Sequence, residues 1–205
     1  MSTPVLGLIL AGGRARRMGG GDKPLLDLGG RTLLARAAER LAAQCGAGLA
    51  LSANGDPARF VGFPGPVLPD TLPGQPGPLA GILAGLEHAA SLGVAAIVSV
   101  SGDAPFLPED LVARLVAVRP EAGIALAASG ERRHYTIALW PAALRDDLRL
   151  YLESGERRVG GFIARHPAEA ASWSVAPVDP FLNINTPEDL AAAEAMLALS
   201  APPPV

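Results

Sequence analysis

The chain consists of short, nearly unbroken apolar runs that alternate with longer stretches in which apolar residues return every three or four positions. The first run, residues 5–11, is too short for a helix of ordinary length and leads directly into glycine-rich sequence, so it predicts a strand buried in a sheet. Residues 32–44 place Leu33, Leu34, Ala37, Ala38 and Leu41 on one helical face. Residues 48–53 predict a second strand ending at Asn54, and a Pro/Gly-rich passage, 56–77, holds a brief extended piece at 66–68 ahead of Asp70. Residues 78–91 predict a helix with proline in its first turn. Residues 94–100 are almost wholly apolar, as a central strand covered on both faces requires, and deliver Ser101, Gly102 and Asp103 at their end. Pro108 opens another helix, and 123–128 reads as a strand.

The second half is less regular. It predicts a strand over 134–140, an amphipathic helix over 142–153, a short helix through Phe162 and Ile163, and a last strand over 172–178. Thr186, Pro187, Glu188 and Asp189 make a strong helix start: a hydroxyl cap, a proline, then acids in the first turn. This rhythm predicts an α/β protein with one domain over 1–205 and a mostly parallel, doubly wound sheet flanked by helices. Ligands then belong at the carboxyl ends of the strands.

Composition narrows the function classes. With 205 residues the chain can bury a substantial core in one domain. A net charge of -3 gives no global basic field for nucleic acid, and a small anionic substrate needs only locally clustered arginines such as Arg14, Arg16 and Arg17. Mean hydropathy is positive, at +0.29, yet no apolar run reaches membrane-spanning length, so no membrane partner is expected. Residues 5–11 lack a signal peptide's basic flank and length. The single cysteine, Cys45, cannot form an intramolecular disulfide, and a cytoplasmic, reducing location is expected.

The candidate chemistry begins where the first strand ends. Leu10, Ala11, Gly12 and Gly13 lead into Arg17 and a triple glycine, closed by Asp22 and Lys23. Such a loop can turn backbone N–H groups toward phosphates while cationic side chains add charge. Lys23 is the only lysine, against sixteen arginines, so a compact ammonium is wanted at that position. The plain alternative is a solvated surface loop. Pro24 follows Lys23, which excludes the Walker phosphate loop, and the glycine spacing excludes the dinucleotide fingerprint. Asp103 stands beside the loop and is placed to hold Mg²⁺ against nucleotide phosphates; its alternative role is to cap a turn. Gly77 and Pro78 begin a small-residue helix start against which a base or ribose can lie. Only three asparagines occur, and two, Asn183 and Asn185, flank Ile184 just before a helix cap. Their amides suit nucleobase or pterin edges, or else serve local turns.

The sequence resembles the molybdenum cofactor guanylyltransferases, nucleotidyltransferases with a glycosyltransferase-A-like fold. The resemblance runs nearly the whole length: L-A-G-G-x-A-R-R-M-G-G-x-D-K at 10–23, an Asp then G-P-L-A-G at 70 and 77–81, and D-x-P-F at 103–106. It continues with G-E-R-x-H-x-T-I-A-L at 130–139, G-E-R-R-V at 155–159 and N-x-N-T-P-E-[DE]-L at 183–190. It implies transfer of GMP from GTP to molybdenum-molybdopterin, with Leu10, Ala11, Gly12, Gly13, Arg17, Lys23, Asn54, Asp70, Gly77, Pro78 and Asp103 toward GTP. Lys23 and Asp103 are then the catalytic pair, with Mg²⁺ on Asp103. Arg157, Asn183 and Asn185 fall in the part, about 111–200, that resembles the molybdopterin side, opposite a nucleotide-binding part at about 1–110. Molybdenum-insertion proteins and molybdoenzyme chaperones are the implied protein partners of a monomer. Ser52 departs from the pattern, standing where relatives can have Asn. The rival readings are a sibling nucleotidyltransferase using CTP on the same pterin, against which L-A-G-G rather than L-A-A-G argues, one acting on a sugar or isoprenoid phosphate, and a non-catalytic nucleotide-binding or regulatory module, against which Asp103 argues.

Overall fold

A computed structural model describes residues 4–12, 22–74 and 77–200. The first apolar run forms β1 (Leu6–Leu10), and the elements follow as α1 (Leu33–Ala42), β2 (Leu49–Ser52), β3 (Val67–Leu68), α2 (Pro78–Ser91) and β4 (Ala96–Ser101). Next come α3 (Leu111–Val118), β5 (Ile124–Ser129), β6 (Arg132–Pro141), α4 (Arg145–Glu153), α5 (Val159–Ile163), β7 (Ala168–Trp173) and α6 (Pro187–Ser200). The strands make one seven-stranded sheet in the order β3-β2-β1-β4-β6-β5-β7. Every pairing is parallel except those of β6, which runs antiparallel to both β4 and β5. The reversal has a local cause. Ser129 and Arg132 are partners across a two-residue turn in which Gly130 takes φ +56°, so β5 and β6 are a hairpin rather than a crossover.

The sheet is covered on both faces, which explains why β1 and β4 are apolar along their whole length. On one face α1 and α3 pack through Leu34, Ala37, Leu41, Leu111 and Leu115; on the other, α2, α4 and α5 pack through Leu79, Ile82, Leu86, Leu148 and Phe162. Each such large apolar side chain stabilises the fold by about 1.5–3 kcal/mol on burial. A smaller cluster of Leu28, Leu33, Ile184 and Ala193 fastens α6 beside the start of α1. Thr32 caps α1 by accepting from Ala35 N at 3.1 Å, and Thr186 caps α6 by accepting from Asp189 N at 3.1 Å.

Helix α2 sits unusually close to the sheet. A Cβ at Gly81 would run into the Ser52 hydroxyl and come within 3.1 Å of a Leu10 methyl, and one at Gly85 would lie 2.5 Å from a Leu8 methyl. Two glycines one helical turn apart thus bring the helix's N-terminus down over the ends of β1 and β2.

One expected element is corrected. The last strand is Ala168–Trp173, not residues 172–178. Beyond Trp173 the Ser174 hydroxyl accepts from Ala176 N at 3.0 Å, so a local side-chain turn takes the backbone groups a strand would need, and Pro177 has no N–H to offer. The true strand is alanine-rich, with little β propensity of its own, and is drawn out by its parallel register on β5, from Ile124↔Ala168 to Ser129↔Trp173.

Candidate functional site

In the sheet order, β2 and β3 lie on one side of β1 and β4 on the other. The crevice outside the carboxyl ends of β1 and β4 is therefore the topological switch point, where open α/β sheets take their ligands. A cleft of about 310 Å³ opens there. Leu10 and Gly12 line it from the end of β1, Ser52 and Asn54 from the end of β2, and Asp70 from the segment after β3. Gly77, Pro78 and Gly81 line it from the start of α2, with Ser101 from β4 and Thr136 from β6. Fourteen residues of α2 point their N-terminus, and its positive dipole end, into this space. No atom of the described residues lies within 4 Å of where a Gly12 Cβ would stand.

Asn54 and Asp70 hold one another. Asn54 Nδ2 donates to Asp70 Oδ2 at 2.9 Å, and Asp70 N donates to Asn54 Oδ1 at 2.9 Å. This reciprocal pair locks the ends of β2 and β3 into one rigid wall. Ala11 contributes differently. Its methyl is buried in the core and its N–H donates to Ser52 O at 2.9 Å, so it shapes the cleft through the backbone.

Lys23 sits in a single 3₁₀ turn, Lys23–Leu25, with only 9% of its surface exposed. Its ammonium donates to Asp103 Oδ2 and, at 2.6 Å, to Asn185 Oδ1. Among the described residues these bonds use two of the three ammonium donors. The other Asp103 oxygen accepts from Ser101 Oγ. Ile184 N donates to Asp103 O at 3.1 Å, and Gly102 N donates to Leu10 O at 3.0 Å. Loop exit, β4 end and the segment before α6 thus converge on one carboxylate, and Ser101 connects that carboxylate to the cleft.

Among the described residues no cluster of three or more His, Cys, Asp or Glu side chains could hold a metal ion. Mg²⁺ does not need one, because it commonly takes one or two carboxylates and completes its shell with phosphate and water. Asp103 fits that kind of site: its Oδ2 already faces a cation, the Lys23 ammonium, beside the cleft.

Of the residues expected from the sequence, Leu10, Gly12, Asn54, Asp70, Gly77 and Pro78 line the cleft, and Lys23, Asp103 and Asn185 meet at its edge. Asn183 is close by; its carbonyl accepts from Asn185 Nδ2 at 3.2 Å, and its own Oδ1 is buried without a partner among the described residues. Arg157 is not drawn into this group, since its guanidinium donates to the Leu152 and Glu156 carbonyls at 2.6 Å. Gly13 and Arg17, with Arg14 and Arg16, lie outside the described residues. His134 is buried, with Nε2 2.7 Å from Ser129 Oγ, which in turn donates to Asp179 Oδ2 at 3.1 Å. Burial, then the nearby Arg132 charge, lower the His134 pKa, while Asp179 acts in the opposite direction. Cys45 is no nucleophile: burial pushes its thiol up to about 12.

Sequence reasoning missed the Ser101 hydroxyl, Thr136, and above all the union of Asn185 with Lys23. The first was legible, since Ser101 is two residues from Asp103 at a strand end. The last was not, because nothing local relates positions separated by 162 residues.

Residues 7–171 match the family described as the MobA-like NTP transferase domain. A protein of Bradyrhizobium sp. (strain ORS 278) named molybdenum cofactor guanylyltransferase is 55% identical over 203 residues, covering 97% of this chain and 95% of that protein. Among solved structures, the molybdopterin-guanine dinucleotide biosynthesis protein A of Archaeoglobus fulgidus superposes with a TM-score of 0.73 at 21% identity, over 95% of this chain and all (100%) of that one. A Mycobacterium tuberculosis H37Rv protein solved as a manganese complex superposes with a TM-score of 0.66 at 19% identity, over 94% of this chain and 99% of that one. At such identities the two structural likenesses speak for the fold.

Proposed function

We propose a reaction for this chain, which belongs to the MobA-like NTP transferase family: it transfers GMP from GTP to molybdenum-molybdopterin, releasing pyrophosphate. A phosphate oxygen of the pterin attacks the α-phosphorus of GTP, the bond to the β-phosphate oxygen breaks, and the electron pair leaves with pyrophosphate. No covalent enzyme intermediate is needed. The observation that carries the reading is the Lys23 ammonium shared by Asp103 and Asn185, which joins the nucleotide-side and pterin-side motifs at the mouth of the switch-point cleft.

The chain's residues have separable tasks. The nucleoside lies between the β1 end and the start of α2, with the Asn54–Asp70 wall fixing its depth and Gly12 leaving room for a purine. The remaining Lys23 N–H meets phosphate oxygens and lowers the repulsion between two anionic substrates. Ser101 fixes the carboxylate rotamer of Asp103, so that its oxygens stay aimed at the cation. Asn183 and Asn185 then orient the incoming pterin phosphate, which makes the reaction effectively intramolecular. Asp103 would hold Mg²⁺, which neutralises the triphosphate and the departing pyrophosphate. Manganese in the Mycobacterium tuberculosis relative supports divalent-metal use.

In this reading about 1–110 serves the nucleotide and about 111–200 the pterin, with Arg157 acting on the pterin side. Both substrates are small and anionic, and a reducing cytosol suits a chain whose one cysteine is buried and unpaired. Among the described residues no helix is long and apolar enough to cross a membrane. The test is to incubate the chain with each nucleoside triphosphate, Mg²⁺ and molybdenum-molybdopterin, and to identify the dinucleotide by mass. A guanine dinucleotide formed with equimolar pyrophosphate is expected. A cytosine dinucleotide, or nucleotide binding without pyrophosphate release, would overturn the reading.

A further inference from the structure

Arg59 is an arginine in a surface loop that no sequence pattern singles out, yet it ties the residue before Lys23 to Asn54 of the cleft wall. It lies in the 3₁₀ turn Pro57–Phe60, which Asp56 caps by accepting from Ala58 N at 2.9 Å. Its guanidinium lies 5.0 Å over the ring of Phe60, itself buried, so the side chain has a fixed bed. From there Nη1 donates to both carboxylate oxygens of Asp22, at 2.6 Å to Oδ1, while Nη2 donates to Asn54 O and Nε to Asp56 O at 3.0 Å. Gly55, at φ +87°, turns the chain between Asn54 and Asp56 in a conformation that residues with a side chain rarely adopt.

The partner is as informative as the arginine. Asp22 stands where a residue would cap the turn carrying Lys23, but it makes no side-chain cap bond; its carboxylate is turned to Arg59 instead. Asn54 is the residue that pairs with Asp70. Arg59 therefore fixes the exit of the glycine loop against the nucleoside wall, and covers a carboxylate adjacent to Lys23 that would otherwise repel a triphosphate.

We propose that Arg59 is a positioning residue for nucleotide binding, holding Asp22–Lys23 at a set distance from Asn54–Asp70 and masking the Asp22 charge. The inference rests on the reading that GTP occupies the cleft. It gives Arg59 no part in the chemical step, because Lys23 is held independently by Asp103 and Asn185. The fork geometry matters: two nitrogens of one rigid plane reach Asp22 and the Asn54 carbonyl separately, a span that a single ammonium nitrogen would have to bridge alone.

The test is GTP titration by calorimetry in Mg²⁺ buffer, with steady-state kinetics, on the full chain and the variants Arg59→Ala, Arg59→Lys and Arg59→Ala/Asp22→Asn. Arg59→Ala is expected to weaken GTP binding and raise its KM about tenfold, the effect of one charge-assisted hydrogen bond, with kcat at saturating GTP and the KM for the pterin retained. Arg59→Lys should recover part of the loss. The double variant should recover most of it, because a neutral amide at position 22 no longer opposes the triphosphate. Unchanged GTP affinity in Arg59→Ala overturns the inference. So does a uniform loss of kcat and both KM values with a lowered Tm, or a double variant worse than the single. If the wild-type chain binds no GTP, the nucleotide reading falls and this inference with it; if the wild type binds GTP and Arg59→Ala binds it as tightly, only the inference falls.

Discussion

Replacing Gly12 by Ala adds one methyl at a defined place. Among the described residues a Cβ built there meets no atom within 4 Å, and Gly12 does not have a left-handed φ that only glycine tolerates. Two consequences separate. In the free protein the substitution meets no steric cost from the described residues, and reduced freedom of the unfolded chain stabilises it by about 0.4–1 kcal/mol. In the liganded protein the methyl projects into the cleft whose walls Gly12 shares with Leu10, Asn54, Asp70 and Pro78. One methyl against a bound group is worth about 1–3 kcal/mol, or roughly 5- to 150-fold. A bicyclic guanine fills more of the space than cytosine does, so kcat/KM for GTP should fall within that range while CTP loses less or gains. The assay is kcat/KM for both nucleotides with the same pterin acceptor, alongside a thermal melt. An unchanged GTP:CTP ratio would refute base selection through Gly12. A lowered Tm would refute the claim that the methyl enters open space.

Asp103→Asn removes the carboxylate from Lys23 and, in the proposed reading, from Mg²⁺ as well. Turnover should fall by orders of magnitude and stability by about 1–3 kcal/mol, read by kinetics and urea melts; near-normal turnover at saturating Mg²⁺ would refute the metal role. Lys23→Arg puts a larger planar fork into a space with 9% exposure, and overpacking of about 1–3 kcal/mol with loss of the Asp103–Asn185 bridge should abolish most activity. Wild-type turnover in that variant would mean the lone lysine is incidental. His134 has a folded pKa below its ordinary 6.5, so the unfolded chain binds that proton more readily. Its contribution to stability is full above the ordinary value and is lost as pH falls through the folded one. Between about pH 8 and 5 the Tm of His134→Gln should therefore drop less steeply than wild type, and parallel curves would refute the assignment.

What could be read beforehand and what could not divide along physical lines. Strands β1 and β4 announced themselves because both faces are covered, which leaves an unbroken apolar run. Helix α2 was visible from Pro78 through Ser91 because its proline start and its end are local features. The direction of β6 was not legible, since it depends on a hairpin at Gly130 within a sequence whose other strands are joined by crossovers. The position of β7 was misread because its residues carry no preference and Ser174 imitates a continuing strand. In the site, the loop, Lys23 and Asp103 carry chemistry in their own types and spacing. The Arg59–Asp22 pair does not: an arginine in a surface loop looks like any other until the fold places a carboxylate 37 positions earlier against it.

The bridge at Lys23 also bears on how the molecule comes into being. Lys23 and Asp103 are 80 positions apart, and Lys23 and Asn185 are 162. A ribosome releasing this chain from its N-terminus would expose the glycine loop and the first three strands long before the segment that completes the ammonium's surroundings is made. Until Asn185 arrives and α6 seats on Leu28 and Leu33, a nascent chain has the ends of β1 and β2 but not the complete Lys23 bridge. Contacts of such span slow folding, because loop-closure entropy must be met before they form. In the proposed reading the same span keeps an incomplete chain, which lacks the Asn185 contact, from presenting the arrangement that splits GTP.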